Sequence, residues 1–279
     1  MSISIEDYEN YYTLFEAENS VYSNLSSINE DLDFNAKISE YLNKVVSSTQ
    51  KSWDKFKQTV ATEKNKKFLQ DNSKVLLSKN IKPFKVEKYI SYNLSPFNEL
   101  KIVDFNYGLL KDSLKNKEEY LKKYYSRFVS EDEKSLKKSI EKAVKAKEQD
   151  LMCTSTEINN FYKFCTQGFY NYRSIIEQNL DKINRSVQNI TRNINTIVSQ
   201  ESVLLEAPLN NDNKEKSSNN NDKTFFKDIV LYMKINTEIL SIEMKLLSQI
   251  YKEYYELLVQ ATKISQNNPN QNIQKQIKI

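Results

Sequence analysis

Two thiols, a scatter of carboxylates and a run of lysines are the side chains of this chain that could do chemistry, and their spacing limits what that chemistry is. Cys153 and Cys165 stand twelve residues apart. On or beside one helix, twelve residues span roughly 18 Å, too far for a disulfide between them. Two buried free thiols are the expected state, which suits a reducing compartment. Paired carboxylates could hold two metals, but the four-helix di-iron pattern needs Glu-x-x-His pairs, and the 279 residues include no histidine. The same absence removes Ser-His-Asp triads, Cys-His pairs and the zinc or iron sites that use histidine. The two glycines, Gly108 and Gly168, are isolated. A phosphate loop, a dinucleotide fingerprint or a nucleophile elbow each needs several close together, and no Asp-x-Asp-x-Asp-Gly calcium loop occurs. These residues predict no catalytic, cofactor-binding or metal-binding position and no small-molecule substrate; the chain is expected to bind and pack rather than catalyse.

Charge is distributed unevenly. The first 33 residues carry eight acids (Glu6, Asp7, Glu9, Glu16, Glu18, Glu30, Asp31 and Asp33) and no base, leaving 41 bases against 29 acids in the rest. An acidic, base-free start has neither the basic residues nor the apolar run of a secretory leader, so none is expected, and no apolar stretch approaches the ~20 residues of a membrane span. The lysines between Lys111 and Lys147 could meet phosphates or an anionic membrane, but Asp112, Glu118, Glu119, Glu131, Asp132, Glu133, Glu141 and Glu148 interleave with or flank them. Mixed signs on helices read as solvated faces, which disfavours nucleic acid as a partner. In the acidic segment Tyr8, Tyr12, Phe15 and Tyr22 form an aromatic stripe at helical spacing. Those four residues are the candidate interaction site: tyrosine offers apolar area with a polar tip, and the segment's sign is opposite to that of the remaining chain. Tyrosine pairs at 11–12, 124–125 and 254–255 could be interface anchors, but codon bias and amphipathic helix boundaries account for them better.

Helices must position these groups. With four prolines and two glycines the chain has few tight turns, which argues against an all-β fold. Helix is expected from about Ile5 to Leu25, then from Phe34 to Leu69 on the stripe Phe34, Ile38, Leu42, Val45, Thr49, Trp53, Phe56 and Val60. Residues 72–106, interrupted by Pro83 and Pro96, are expected to be irregular, with a short hairpin of Phe84–Tyr92 against Lys101–Tyr107 as the candidate β element. Helix resumes from Tyr107 to Phe128, then from a Ser130/Glu133 capping box to Gln149, then from a Thr154/Glu157 capping box to Ser199. Leu180, Ile183, Val187, Ile190, Ile194 and Ile197 step by 3 and 4, a coiled-coil-grade seam. A polar tract over 208–223 reads as a disordered linker. In the last helix, 224–265, the seam Phe226, Val230, Met233, Thr237, Leu240, Met244, Leu247, Tyr251, Tyr254, Leu258 and Ala261 runs for five heptads. A disordered tail over 266–279 completes the chain. The expected fold is all-α: an elongated helical bundle with long coiled-coil-like antiparallel helices and a small irregular or β-hairpin insertion near 80–107, its body spanning 1–207 with the last helix folded back on it.

Three stretches carry a family resemblance: Trp53-Asp54-Lys55-Phe56-Lys57 with the polar helix to Leu69 and the Pro83 loop; Asn160-Phe161-Tyr162-Lys163-Phe164 running into Ile175-Ile176-Glu177-Gln178-Asn179-Leu180-Asp181-Lys182-Ile183; and, after the Asn-rich tract, Tyr232-Met233-Lys234 with Ile250-Tyr251-Lys252-Glu253-Tyr254. In order and spacing they resemble helical virion structural or internal head (prohead core-like) proteins of large myovirus-type and jumbo phages of Firmicutes. The chain departs from that pattern in lacking a Gly-rich linker. The resemblance implies a non-enzymatic structural or assembly protein of a tailed phage particle. It would sit in the virion, and in the host cytoplasm during assembly, binding other virion or assembly proteins and copies of itself. It implies no catalytic residues. The reading from the residues alone, a cytoplasmic helical adaptor or membrane-surface scaffold in an AT-rich organism, stands beside it. The seam generates a direct test. Leu240→Asp places an unpaired charge among apolar neighbours and is expected to lower stability by more than about 3 kcal/mol in urea titration; an effect below about 1 kcal/mol would refute the heptad assignment.

Overall fold

The computed structural model describes residues 31–106, 117–128, 136–204 and 214–266. These residues are 77% helical, with one small two-stranded antiparallel sheet. In chain order the elements are α1 (Asp31–Thr59), α2 (Glu63–Asp71), α3 (Ser73–Leu76), β1 (Phe84–Tyr92), α4 (Lys117–Tyr124), α5 (Leu136–Val144), β2 (Lys145–Cys153), α6 (Ser155–Lys163), a π-helical turn (Phe164–Gly168), α7 (Phe169–Leu204) and α8 (Lys214–Gln266). The chain divides into two compact units. One comprises the segments up to Trp53, Leu100–Lys137 and Gln178–Ser241; the other comprises Asp54–Glu99, Lys138–Glu177 and the segment from Ile242 onward.

The apolar stripe of α1 is buried as its spacing requires, at Ile38, Leu42, Val45, Trp53 and Phe56. Thr49 occupies the polar step of that stripe, and its hydroxyl donates to the Val45 carbonyl at 2.9 Å, so no polar group is stranded. The helix does not continue to Leu69. It ends at Thr59, and Ala61 takes a left-handed φ of 53° while buried. Thr62 then caps α2 by accepting from the Asn65 N–H. No proline or glycine marks this break, and the six polar residues from Thr62 to Lys67 read equally well as the exposed face of one continuous helix, which is why the sequence joined the two.

Helix α8 is longer than its seam. It runs 53 residues from Lys214 to Gln266, about 80 Å at 1.5 Å per residue. The polar residues 214–222, expected as linker, belong to it. Adding residues to an established helix costs far less than nucleating one, and this stretch has no proline. Residues 205–213 and 267–279 lie outside the described set, as does the expected helix over 5–25. Seam residues Val230, Met233, Leu240, Met244, Leu247, Tyr251, Tyr254, Leu258 and Ala261 are buried, and so are Leu180, Ile183, Val187 and Ile190 on α7. A second stripe on α8 is equally buried: Ile229, Ile235, Ile239, Ile242, Leu246 and Ile250. A helix apolar on more than one side is covered on more than one side.

Strand β1 forms where expected, but its partner is different. It pairs antiparallel with β2, Phe84 opposite Cys153 and Tyr92 opposite Lys145, with irregularities between Val86 and Tyr89 and between Ser91 and Tyr92. At the first of these Lys88 adopts a φ of 56°, an extra residue of the kind that bends and twists a ribbon. β2 (Lys-Ala-Lys-Glu-Gln-Asp-Leu-Met-Cys) consists almost wholly of good helix formers, and the helix expected to reach Gln149 stops instead at Val144. Tertiary pairing overrides local propensity here.

The segment expected as the partner, Lys101 onward, is held in the first unit by side chains. Asn179 accepts from the Ile102 N–H at 2.9 Å and donates to the Leu100 carbonyl at 3.1 Å. One turn along α7, the Lys182 ammonium donates to the Ile102 carbonyl at 2.7 Å. A turn further, the Ser186 hydroxyl accepts from the Phe105 N–H at 3.3 Å. The Tyr125 hydroxyl donates to Lys101 O at 3.1 Å, and the Tyr232 hydroxyl to Val103 O. These side chains do for residues 100–105 what a neighbouring strand would otherwise do. Asn179→Leu should strand one backbone donor and one acceptor, at about 1–3 kcal/mol each. We expect a loss of roughly 2–4 kcal/mol in urea titration, against under about 0.5 kcal/mol for Arg185→Ala, whose contact with Asp104 is long (3.7 Å) and exposed. Equal losses would mean that the Asn179 bonds do not hold the segment.

Candidate functional site

In the second unit, four rings from separate elements converge. Thr154 caps α6: its side chain and backbone engage Glu157, whose carboxylate accepts from the Thr154 N–H at 3.0 Å, completing the capping box. That cap sets the phase of α6 and aims Phe161 inward. Four residues, Phe161 to Phe164, then carry the chain into the π turn. The wider turn changes the facing of the residues beyond it, a local adjustment frequent at functional sites. Gly168 closes it. A Cβ at Gly168 would stand 3.2 Å from Phe164 Cδ2, so the absence of a side chain lets the Phe164 ring lie along the turn.

Phe161 stacks on Tyr254 of α8 at 4.5 Å between centroids, and Phe164 meets the same ring edge-on at 5.0 Å. Tyr89 of β1 packs on Phe161 at 5.9 Å and Tyr92 on Tyr254 at 6.3 Å. Beside these rings is a depression of about 350 Å³, walled also by Leu94, Leu151, Glu157 and Asn160. The neighbouring polar pair is Tyr92 and Glu253, with the Tyr92 hydroxyl donating to Glu253 Oε1 at 2.7 Å.

Electrostatics follow from burial. Burial raises the Tyr89, Tyr92 and Tyr254 hydroxyls above the ordinary tyrosine value, aided at Tyr92 by its bond to Glu253. For Tyr89 the bond to Tyr254 opposes the rise, while the Glu253 and Glu157 carboxylates add to it. Glu157 moves the other way: the Thr154 hydroxyl holds its carboxyl below the usual range. Burial pushes the Cys153 thiol up to about 12, with Glu157 adding to the effect, and raises Cys165 further. Both thiols are free and buried, so they are protonated and poor nucleophiles. Neither thiol is among the residues that line the depression.

Comparison with known protein families, with curated proteins and with solved structures finds no match. The site therefore rests on its own geometry. Among the described residues, no group of three or more Asp, Glu or Cys side chains is placed to hold a metal ion, and no described helix is long and apolar enough to cross a membrane.

Tyr8, Tyr12, Phe15 and Tyr22 lie outside the described residues, as do Tyr11 and the Ser130/Glu133 capping box. The other tyrosine pairs serve internal packing. Tyr125 and Tyr254 are buried and Tyr124 and Tyr255 half-buried. Tyr120 gathers Tyr124, Tyr125 and Tyr232 around it in the first unit. Sequence reasoning did not single out Tyr89, Phe161 or Phe164 as a site. The available signal was Asn160-Phe161-Tyr162-Lys163-Phe164 followed by one of two glycines: a three-residue phenylalanine step next to a residue that tolerates a ring against its backbone.

Glu253 supplies a pH test. Burial raises its carboxyl above the ordinary 4.5, outweighing the opposing bond from Tyr92 and the nearby Lys145, with Glu256 adding to the rise. The folded state thus takes up this proton at a higher pH than the unfolded chain. Its contribution to stability grows as pH falls through the folded pKa towards 4.5 and is absent at neutral pH. Glu253→Gln is expected to match or exceed the parent in stability at pH 7, with the difference shrinking as pH approaches 4.5 in urea titrations. A variant clearly weaker at pH 7 would show that the Tyr92 bond to the ionised carboxylate outweighs its burial.

Proposed function

We propose that this chain is a non-enzymatic structural or assembly protein of a tailed phage particle, an internal head or prohead-core component that binds other virion proteins. The observation that carries the non-catalytic part is the state of the interior. The described thiols are buried and protonated, and the buried tyrosines are held neutral and used for packing or hydrogen bonding. Such an interior supports a binding role. The particle assignment is supported by the three stretches that resemble helical head proteins, whose aromatic residues Trp53, Phe56, Phe161, Phe164, Tyr232, Tyr251 and Tyr254 are buried, with Phe68 and Tyr162 half-buried.

An elongated bundle with antiparallel coiled-coil helices is part of this proposal. It is supported by the burial of both heptad seams, on α7 from Leu180 to Ile190 and on α8 from Val230 to Ala261. The acidic segment bearing Tyr8, Tyr12, Phe15 and Tyr22 is proposed as its docking arm. Mass spectrometry of gradient-purified particles tests the assignment. The chain is expected to co-sediment with the particles, at a ratio to the major capsid protein that survives repeated purification. Recovery solely in the soluble host fraction would overturn it in favour of a cytoplasmic adaptor, and recovery with host membranes would favour a surface scaffold.

A further inference from the structure

We propose that the aromatic depression of the second unit is a receptor for a cationic side chain of a protein partner, with an arginine guanidinium as its best-fitting occupant. Its walls combine ring surfaces from Tyr89, Phe161, Phe164 and Tyr254 with a carboxylate, Glu157, and an exposed amide, Asn160. Aromatic faces attract cations through the ring quadrupole, and a planar, weakly hydrated guanidinium stacks on them better than an ammonium does.

The charge pattern selects a cation over a plain apolar group. Both contacts that Thr154 makes to Glu157 fall on one oxygen, Oε2, the carboxylate also accepts from its own N–H, and it lines the depression as a negative charge. A second carboxylate, Glu253, lies close enough to influence Tyr89; Lys145, paired with Tyr92 on the ribbon, partly offsets the charge of Glu253 but does not line the depression. The N-terminus of α6 contributes a partial positive charge of about half a unit, which the full charge of Glu157 exceeds. No lysine or arginine is among the residues lining the depression. A volume of about 350 Å³ is at the small end for a ligand site, suited to one long side chain rather than to a folded element.

The inference rests on the reading of the chain as a binding protein, not on the particle assignment, and the two fail separately. A chain absent from particles that still discriminates an arginine peptide from a citrulline one would overturn the assignment and leave the site standing. The test uses the full-length protein with ¹³C-labelled tyrosine and phenylalanine rings, titrated with acetyl-Gly-Arg-Gly-amide or with the citrulline peptide, its near-isosteric neutral counterpart. We expect the arginine peptide to shift the Tyr89, Phe161 and Tyr254 ring signals saturably, and the citrulline peptide to bind about tenfold more weakly. Glu157→Gln preserves the cap, since glutamine serves the same capping-box role, and should weaken arginine binding by a similar factor. Equal affinity for the two peptides on the unaltered protein, no saturable shift, or unchanged arginine binding by a folded Glu157→Gln protein would each overturn the proposal.

Discussion

Helix α8 carries more apolar surface than one contact face could cover, and the rest of the described structure answers to that constraint. Its seam and its second stripe are both buried, so neighbours must be found on more than one side. At about 25 cal/mol per Å² of apolar surface removed from water, a helix of this kind is a large source of stability, although chain entropy consumes most of such gains. In the first unit α8 offers Tyr232, whose hydroxyl reaches both Val103 O and the Ser186 hydroxyl. In the second it offers Tyr254, the ring on which Phe161 and Phe164 converge. The same helix thus supplies one aromatic anchor to each unit.

Burial of a long helix also raises a register problem, because an apolar surface repeated every heptad fits nearly as well one heptad along. Two fully buried polar residues, Asn236 and Glu243, stand seven positions apart on α8, in line with Ile229 before them and Ile250 after. Sliding the helix by one heptad would bring a polar side chain to a place built for isoleucine. Single buried polar residues are known to fix register at some expense of stability. We read the Asn236–Glu243 pair as such a device.

What the sequence made legible and what it did not divide along one physical line. Apolar periodicity reports burial faithfully: the stripes of α1, α7 and α8 were readable because each buried residue recurs at 3 or 4. The Thr154/Glu157 capping box was readable because both partners lie within one turn. The identity of β2 was not, because its helix-forming residues become a strand only through pairing with β1, about 60 positions away. The break at Ala61 carries no proline or glycine, and the polar run from Thr62 to Lys67 after it looks the same whether a helix continues or restarts. The aromatic site was hidden for a similar reason. Tyr89, Phe161, Phe164 and Tyr254 come from three distant stretches, each of which reads by itself as ordinary core, and only the π turn and the ribbon bring them together.

The segment over residues 100–105 is bound mainly through its main chain. Carbonyls and N–H groups of Leu100, Lys101, Ile102, Val103 and Phe105 make the hydrogen bonds, while Asn179, Lys182, Ser186, Tyr125 and Tyr232 supply the side chains that meet them. Tolerance to substitution is therefore lopsided across this contact. Within the segment, Leu100 and Ile102 are fully buried and must stay apolar, but Lys101 and Asp104 face water and are free to drift, because every residue but proline presents the same peptide group. On the opposing helix, freedom is small: replacing Asn179 by its near neighbour aspartate would keep an acceptor and lose the donor. A lineage diversifying from this chain would thus be expected to vary the exposed positions of the strap readily and its reader slowly.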